Sequence, residues 1–398
     1  MGIFNNLFDI DSRDSYAITG LNKELNSLYI YNYFIKNKKN NLVITNSLYE
    51  ANDVYNRLLN YTNKVLFFPM DDFITSEVTD ISPEFVIDRL TTLNKLLGSG
   101  KYIVVTNLMG ILRYLPNTKL YKNKIIDINK DMDIDRDDFI NKLFDLGYEK
   151  VPVVSRTGEM AIRGYVIDIF PIEFDNPIRI EFWGDTIIRK QKYLLNYSDS
   201  VSGLWDYVSD SVIFYYDYNQ IINSYSLLRD NILEYDSELD DDIKTNYMWN
   251  IEDISNKHNI YILDIDNLID LDVNNKKYVS HSIENYCGNF EKLKLDLIRY
   301  IKSGKTVILC VDDRNVVKRI VTYLELDDII FTDENNIINN KINFVNKYIY
   351  GGFIFDNYVV MSVNDLFGKV EDKRKVKSKY KVGTKISNID NLEKGDLV

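Results

Sequence analysis

Residues 17–27, AITGLNKELNS, almost repeat the phosphate-binding loop G-x-x-x-x-G-K-[ST]. The motif's lysine is kept, both of its glycines are replaced, and its hydroxyl position carries a carboxylate. Ala17 and Asn22 stand at the two glycine positions, Lys23 is the lysine, and Glu24 stands at the hydroxyl position. Gly20 lies between the two glycine positions. A carboxylate here favours the start of a helix but repels a triphosphate, and nothing nearby in the sequence offsets that repulsion. The stretch therefore predicts a strand-to-helix turn that no longer holds nucleotide.

Helices and strands alternate around this turn. Apolar residues recur at helical spacing over 21–37, 47–61 and 83–98, and short apolar runs typical of buried strands fall at 41–45, 64–69 and 101–107. Such alternation is typical of a parallel sheet covered by helices on both faces. The first 120 residues therefore predict an α/β domain of the degenerate P-loop type.

A second near-match, SGKT at 303–306, has Arg299 where the motif's first glycine belongs. A helical pattern precedes it and the strand run 306–311 follows, so we interpret it as a turn with glycine at a helix end. The chain also has no D-E-x-x box after an apolar strand. These features argue against ATP hydrolysis by this chain.

The pattern becomes richer in strands between residues 151 and 193, where turn residues separate short runs as in an antiparallel meander. The acidic run 236–242 is interpreted as a solvated loop, and 261–267 as a strand that completes the first sheet.

These patterns predict how the chain is divided into domains. A first α/β domain is made of 1–120 and 197–280, with an inserted small β-rich (α+β) domain at 121–196. A second small α/β domain at 281–368, a basic linker at 369–385 and the start of a further domain at 386–398 follow.

Composition limits the chemistry of the 398-residue chain. A net charge of −12 makes general DNA binding weak, because that affinity comes from lysines and arginines that displace counterions. Two cysteines and two isolated histidines exclude a disulfide framework and a four-cysteine zinc site, and we predict no metal site and no catalytic residues.

Asp168 and Glu181 are a conceivable acid–base pair, but a salt-bridged surface pair is favoured. No apolar run suits a membrane span, so a cytoplasmic protein is predicted.

Residues 147–190 carry three patterns in succession: G-E-x-A-x-R-G, a strand ending in D-I-F-P, and R-I-E-F-x-G-D. Together they resemble the segment shared by the excision-repair helicase UvrB and the transcription-repair coupling factors. The degenerate loop at 17–24, the stretch 68–97, and the passage from VNDLFGK (363–369) to KGDLV (394–398) are similar to the coupling factors rather than to UvrB.

This resemblance implies an N-terminal adaptor that recruits UvrA to RNA polymerase stalled at DNA damage. The family's ATP-driven translocase motor would lie beyond residue 398, so ATP and magnesium are expected only there. Polymerase contact would be made through the part that is not present, and DNA contact would be weak or indirect. The alternatives are an ATP-dependent UvrB-like helicase fragment, which needs phosphate binding at Lys23, and a direct damaged-DNA-binding protein.

In this family UvrA docks on the inserted small domain through exposed basic groups and a few apolar ones. The residues that match are Arg163, Lys150 and Ile167, with Arg156 and Arg179 as weaker candidates. Arg163 is the strongest candidate, because arginine binds carboxylates through two parallel hydrogen bonds and is enriched at interface hot spots. Lys150 stands where we expect arginine, and lysine is a weaker bidentate partner.

Overall fold

The computed structural model describes the whole chain apart from residues 1, 11–13, 72–82, 124, 127–131, 134, 165, 172–173, 175, 182–185, 188–189, 192–200, 239–247, 255, 257, 264–270, 326–328 and 369–398. The predicted linker at 369–385 and the segment 386–398 thus lie outside the described residues. A short 3-10 helix, Ile3–Asn5, precedes the first strand.

The first part of the chain alternates strand and helix as predicted. Its elements are β1 Tyr16–Thr19, α1 Lys23–Asn37, β2 Asn40–Thr45, α2 Leu48–Leu59, β3 Val65–Phe68, α3 Pro83–Leu96, β4 Ile103–Asn107, α4 Leu108–Leu112, β5 Leu115–Pro116 and α5 Thr118–Asn123. Local sequence explains several of the helix starts. The side chain of Ser47, for example, accepts a hydrogen bond from the Glu50 backbone N–H and caps α2.

The described residues of the next segment form a small, mainly antiparallel sheet and a helix. Its elements are β6 Ile125–Ile126, β7 Met132–Asp133, α6 Arg136–Asp145, β8 Glu149–Lys150, β9 Glu159–Arg163, β10 Val166–Ile169, β11 Ile178–Glu181, β12 Thr186–Ile187 and β13 Lys190–Gln191. The four strands β11-β10-β9-β8 form one sheet in that order; β9, β10 and β11 are antiparallel neighbours, and β8 joins β9 in parallel. Residues of α6 and of one sheet face enclose their own apolar core around Phe139 and Leu143.

The chain then returns to the first sheet. The elements are β14 Val201–Ser202, α7 Leu204–Tyr207, β15 Ser211–Tyr215, α8 Tyr218–Glu238, a 3-10 helix Ile251–Asp253, β16 Asn259–Ile262 and β17 Asn274–Lys277. Seven parallel strands lie in the order β17-β1-β16-β15-β2-β4-β3, with strands from both sides of residues 121–196. The predicted solvated loop at 236–242 is wrong for its first three residues, because they continue α8 to Glu238.

A second sheet follows. Its elements are β18 Ser280–Ser282, α9 Phe290–Lys302, β19 Thr306–Cys310, α10 Arg314–Leu324, β20 Ile329–Thr332, β21 Ile342–Val345, β22 Phe353–Phe355, β23 Tyr358–Ser362 and α11 Val363–Phe367. Six strands lie in the order β18-β22-β23-β19-β21-β20. Gly304, with φ +79°, ends α9 and leads into β19, so the sequence SGKT is a helix-to-strand turn as predicted.

The two large sheets share one apolar core. Side chains of α1 and α2 on one face of the first sheet join Ile308, Cys310, Phe353 and Val360 of the second sheet in a single buried cluster. The other face of the first sheet packs against α3, α4, α7 and α8. The predicted α/β class with helices on both faces is therefore confirmed.

No described helix is both long and apolar enough to cross a lipid bilayer. Among the same residues, no group of three or more His, Cys, Asp or Glu side chains is placed to hold a metal ion.

The shared core predicts that the two sheets unfold together. Phe353→Ala removes a side chain that is 1% exposed, and we expect the free energy of unfolding to fall by about 3 to 5 kcal/mol. Trp183, Trp205 and Trp249 all precede the second sheet, so the urea midpoint followed by their fluorescence should fall as well. Phe331→Ala, at a position 64% exposed, is the matched control. An unchanged tryptophan midpoint in Phe353→Ala would mean that the sheets unfold independently.

Candidate functional site

The degenerate loop is much shorter than a phosphate-binding loop. Ala17 lies inside β1 and pairs with Tyr261 and Asn275 on the two neighbouring strands. Only Gly20, Leu21 and Asn22 connect β1 to α1. Because the cradle of a working loop is built from the backbone N–H groups between the two glycines of the motif, most of that cradle is absent here.

Another part of the chain passes over this loop. The Tyr278 backbone N–H donates to the Thr19 carbonyl at 2.9 Å, and the Ser280 hydroxyl donates to the Gly20 carbonyl at 2.7 Å. Gly20 has φ +84°, and a Cβ at this position would collide with the Tyr278 carbonyl oxygen. Glycine is therefore required both by the backbone conformation and by the chain that crosses it.

Asn22 joins the start of α1 to the second sheet. Its side-chain oxygen accepts from the Leu25 backbone N–H at 3.0 Å, which is an ordinary helix cap, and its φ of −76° is extended. Its amide nitrogen donates to the Gly352 carbonyl at 3.1 Å, and its backbone N–H donates to the Ser280 hydroxyl at 3.1 Å. All three contacts fix Asn22 within the protein rather than towards a ligand.

Glu24 points into the protein and is satisfied there. Its side chain is 1% exposed, and its carboxylate accepts from Arg57 Nη1 at 2.7 Å and from the Tyr61 hydroxyl at 2.6 Å. The Gly351 backbone N–H gives a further hydrogen bond. The expectation that nothing offsets this carboxylate is wrong, because Arg57 of α2 supplies the counter-charge. Lys23, in contrast, is exposed.

Burial sets the protonation properties of this cluster. Desolvation raises the pKa of Glu24 above its ordinary value, while the Arg57 charge and the hydrogen bonds from Tyr61, Arg57 and Gly351 oppose that rise. Burial alone would lower the pKa of Arg57, but a hydrogen bond to Asp53 and the charge of Glu24 raise it overall. Arg57 Nε lies 2.9 Å from the Asp53 carboxylate, so its guanidinium bridges two acids.

The small sheet has one buried and one outward face. The alternation along β9 places Met160 and Ile162 toward α6, and Ala161 and Arg163 away from it. The strand register then puts Arg163 beside Val166, and Asp168 beside Arg179. We call Arg163, Val166, Asp168 and Arg179 the outer face.

A loop, residues 152–157, covers one end of the outer face. The Glu159 carboxylate holds the loop, because it accepts from the backbone N–H groups of Ser155 and Arg156 at 2.6 and 2.7 Å. The Arg163 guanidinium donates to the Pro152 carbonyl at 3.0 Å. Among the described residues Arg163 has no carboxylate partner, and a guanidinium has five N–H groups in all.

Comparisons with known proteins bear on this small sheet. Residues 126–193 match the family model of the UvrB interaction domain. The transcription-repair-coupling factor of Staphylococcus haemolyticus is 29% identical over 254 residues, which are 61% of this chain and 21% of the relative. Its counterparts are 32% identical over 182 residues in Staphylococcus epidermidis (45% of this chain, 16% of the relative) and 31% over 186 in Staphylococcus aureus (46% and 16%).

This chain resembles the N-terminal region of a transcription-repair coupling factor. It spans between 16% and 21% of the length of the curated relatives named above. The segment 147–190, which carries the predicted resemblance, lies inside the matched interval 126–193.

The structure separates the five residues predicted to bind UvrA. Arg163 and Arg156 are exposed, one on the outer face and one in the loop that covers it. Lys150 is exposed too, but it is in register with Met160, so it lies on the α6 side of the sheet, opposite Arg163. Their roles in binding stay predictions.

Ile167 requires a correction, whereas the role of Arg179 stays a prediction. Ile167 is 0% exposed in the core with Phe139, so its side chain supports the sheet and cannot reach a partner. Arg179 makes two hydrogen bonds to Asp168, at 2.7 and 3.0 Å, and is therefore less available than Arg163. Asp168 has this arginine as its neighbour, not Glu181, so no carboxylate pair forms across the strands.

Sequence reasoning missed two exposed apolar residues in this domain. Val153 is 52% exposed and lies in the loop next to Pro152, which Arg163 contacts, and Phe174 is 42% exposed. Exposed apolar and arginine side chains together are typical of interface centres. The local sequence does not indicate that they are exposed. Val153, for example, belongs to a short apolar run that is typical of a buried strand.

Removing Arg57 tests the buried cluster. Arg57→Ala leaves the Glu24 carboxylate buried without its counter-charge, and we expect the free energy of unfolding to fall by about 3 to 5 kcal/mol. The double variant Glu24→Gln with Arg57→Met should recover much of that loss, because the buried Glu24 charge is then removed as well. Urea unfolding at pH 7 measures both. A loss below about 1 kcal/mol in the single variant, as for surface pairs, would contradict a buried pair.

The same variant predicts a pH dependence. A folded-state pKa of Glu24 above its unfolded value means that folding takes up a proton, so this group's contribution to stability rises as pH falls through the folded pKa. The rise should be larger in Arg57→Ala, because the charge that lowers the pKa of Glu24 is gone. Unfolding of both proteins between pH 7 and pH 5 checks this, and parallel profiles would contradict it.

Proposed function

We propose that this chain is the adaptor part of a transcription-repair coupling factor, which recruits UvrA of nucleotide excision repair to RNA polymerase stalled at DNA damage. The observation that carries the proposal is the outer face of the small sheet, where an exposed arginine without a carboxylate partner among the described residues lies in the interval that matches the UvrB interaction domain. Such an arginine suits a carboxylate on the partner.

The geometry of the degenerate loop supports a chain that is not itself an ATPase. A triphosphate would have little space here, because only three residues connect β1 to α1, the chain at Tyr278 crosses the loop, and Glu24 points inward. In this proposal ATP and magnesium belong to the motor of the whole protein, and polymerase contact belongs to parts outside this chain. The net charge of −12 supports weak or indirect contact with DNA. The chain would act in the cytoplasm.

Isothermal calorimetry with purified UvrA, without nucleotide, tests the adaptor function. We expect Arg163→Ala to weaken binding by about 1 to 3 kcal/mol, because the guanidinium is a central hydrogen-bonding group of the proposed interface. Arg163→Lys should restore only part of the affinity, since lysine cannot form the two parallel bonds.

Arg229→Ala is the matched control, because Arg229 is an exposed arginine of α8 outside the small sheet. It should bind UvrA like the unchanged chain. Equal affinity of Arg163→Ala and the unchanged chain would remove the outer face from the interface. Binding that requires added ATP would favour the helicase alternative instead.

A further inference from the structure

Among the described residues, no helix covers one end of the second sheet. Its helices α9 and α10 pack on the face that carries Leu309 and Phe344. The connection between β20 and β21, residues 333–341, contains no helix, and β20 is the last strand of the sheet. The apolar surface of β20 and β21 beside α10 is therefore left open to solvent.

This open surface forms a groove. It has a volume of about 660 Å³ and runs between α10 and the strands β20 and β21. Phe331 stacks on Phe344, with ring centroids 5.5 Å apart, and forms the floor of the groove. Phe331 is 64% exposed, so one face of its ring has no cover. Val317 and Val321 of α10 form the apolar wall.

The rim of the groove is cationic on the α10 side. Arg314 and Lys318 are exposed, line the groove, and lie one helical turn apart on the same side of the helix as Val317 and Val321. Within the part of the chain that is described, neither makes an ion pair. Of the acids nearby, Asp313 caps α10 and accepts from the Asn315 backbone N–H. Asp312 also lines the groove, at the end where α10 begins.

We infer that this groove is a docking site for an acidic amphipathic helix of a partner protein. A helix laid parallel to α10 at ordinary packing distance would fill the place of the missing layer and cover Phe331 with its apolar stripe. Carboxylates that flank the stripe would pair with Arg314 and Lys318. A basic helix would bring like charges together at this rim, and the two cations therefore select the acidic occupant.

A pair of synthetic peptides tests the charge and shape requirements. The first is a fluorescein-labelled helical peptide with leucines at positions i, i+3, i+4 and i+7, flanked by glutamates, and the second has lysine in place of every glutamate. Fluorescence anisotropy with the full chain should show the acidic peptide bound at least about tenfold more tightly than the basic one. Phe331→Asp should weaken acidic-peptide binding by about tenfold or more.

Two matched controls separate the groove from general effects. Lys318→Glu should weaken acidic-peptide binding by about fivefold or more, whereas Arg319→Glu should not, because Arg319 lies over the Phe367 ring outside the groove. Leu295→Asp matches Phe331→Asp, since Leu295 is 69% exposed on α9 and does not line the groove. Lys318 is exposed, so its variant tests the site even if Phe331→Asp fails to fold.

Three results of the binding experiments would overturn the inference. They are equal binding of the two peptides, equal losses in the groove variants and their controls, and no binding of the acidic peptide at about millimolar concentration, where even weak groove binding is measurable. Sedimentation that shows a dimer of this chain, dissolved by Phe331→Asp, would assign the groove to a second copy and would also overturn it.

Discussion

The buried carboxylate of Glu24 is the interaction on which the joint between the two large sheets depends. A carboxylate at 1% exposure is stable only when its lost hydration is replaced. Here the replacement comes from α2, through Arg57 and Tyr61, and from the second sheet's Gly351. The start of α1 is thus held from two directions, and removing the second sheet would expose the carboxylate and break its hydrogen bond to Gly351.

The same joint explains the altered phosphate-binding motif in physical terms. Each replaced position now contributes to the fold, since Ala17 is part of a central strand, Asn22 caps α1 and bonds Gly352, and Glu24 forms the buried pair. Gly20, which is not one of the two motif glycines, is required because the chain at Tyr278 passes directly over it. A loop that suits a phosphate and a loop that suits a neighbouring domain share the need for a tight turn and a helix start. In a phosphate-binding loop the backbone N–H groups bind the phosphate, whereas here the loop backbone bonds to Tyr278 and Ser280.

Elements set by local pattern were predictable from the sequence. The helices α1, α2, α3 and α9 and the strands β2, β3, β4 and β19 follow from apolar spacing and caps, as does the turn at Gly304. Features set by distant partners were not. The inward turn of Glu24 depends on Arg57, 33 residues away, and the Asn22 contact with Gly352 spans 330 residues. Similarly, the burial of Ile167 and the side on which Lys150 lies follow from strand register and from packing against α6.

Hydrogen exchange of the amides in residues 16–24, followed by mass spectrometry with and without Mg·ATP, tests this joint most directly. We expect slow exchange without nucleotide, because the N–H groups of β1 and Asn22 are held by the neighbouring strands and by Ser280. We also expect no change when Mg·ATP is added. Fast exchange that becomes slow on adding Mg·ATP would show an open loop that receives nucleotide, and would contradict a closed joint.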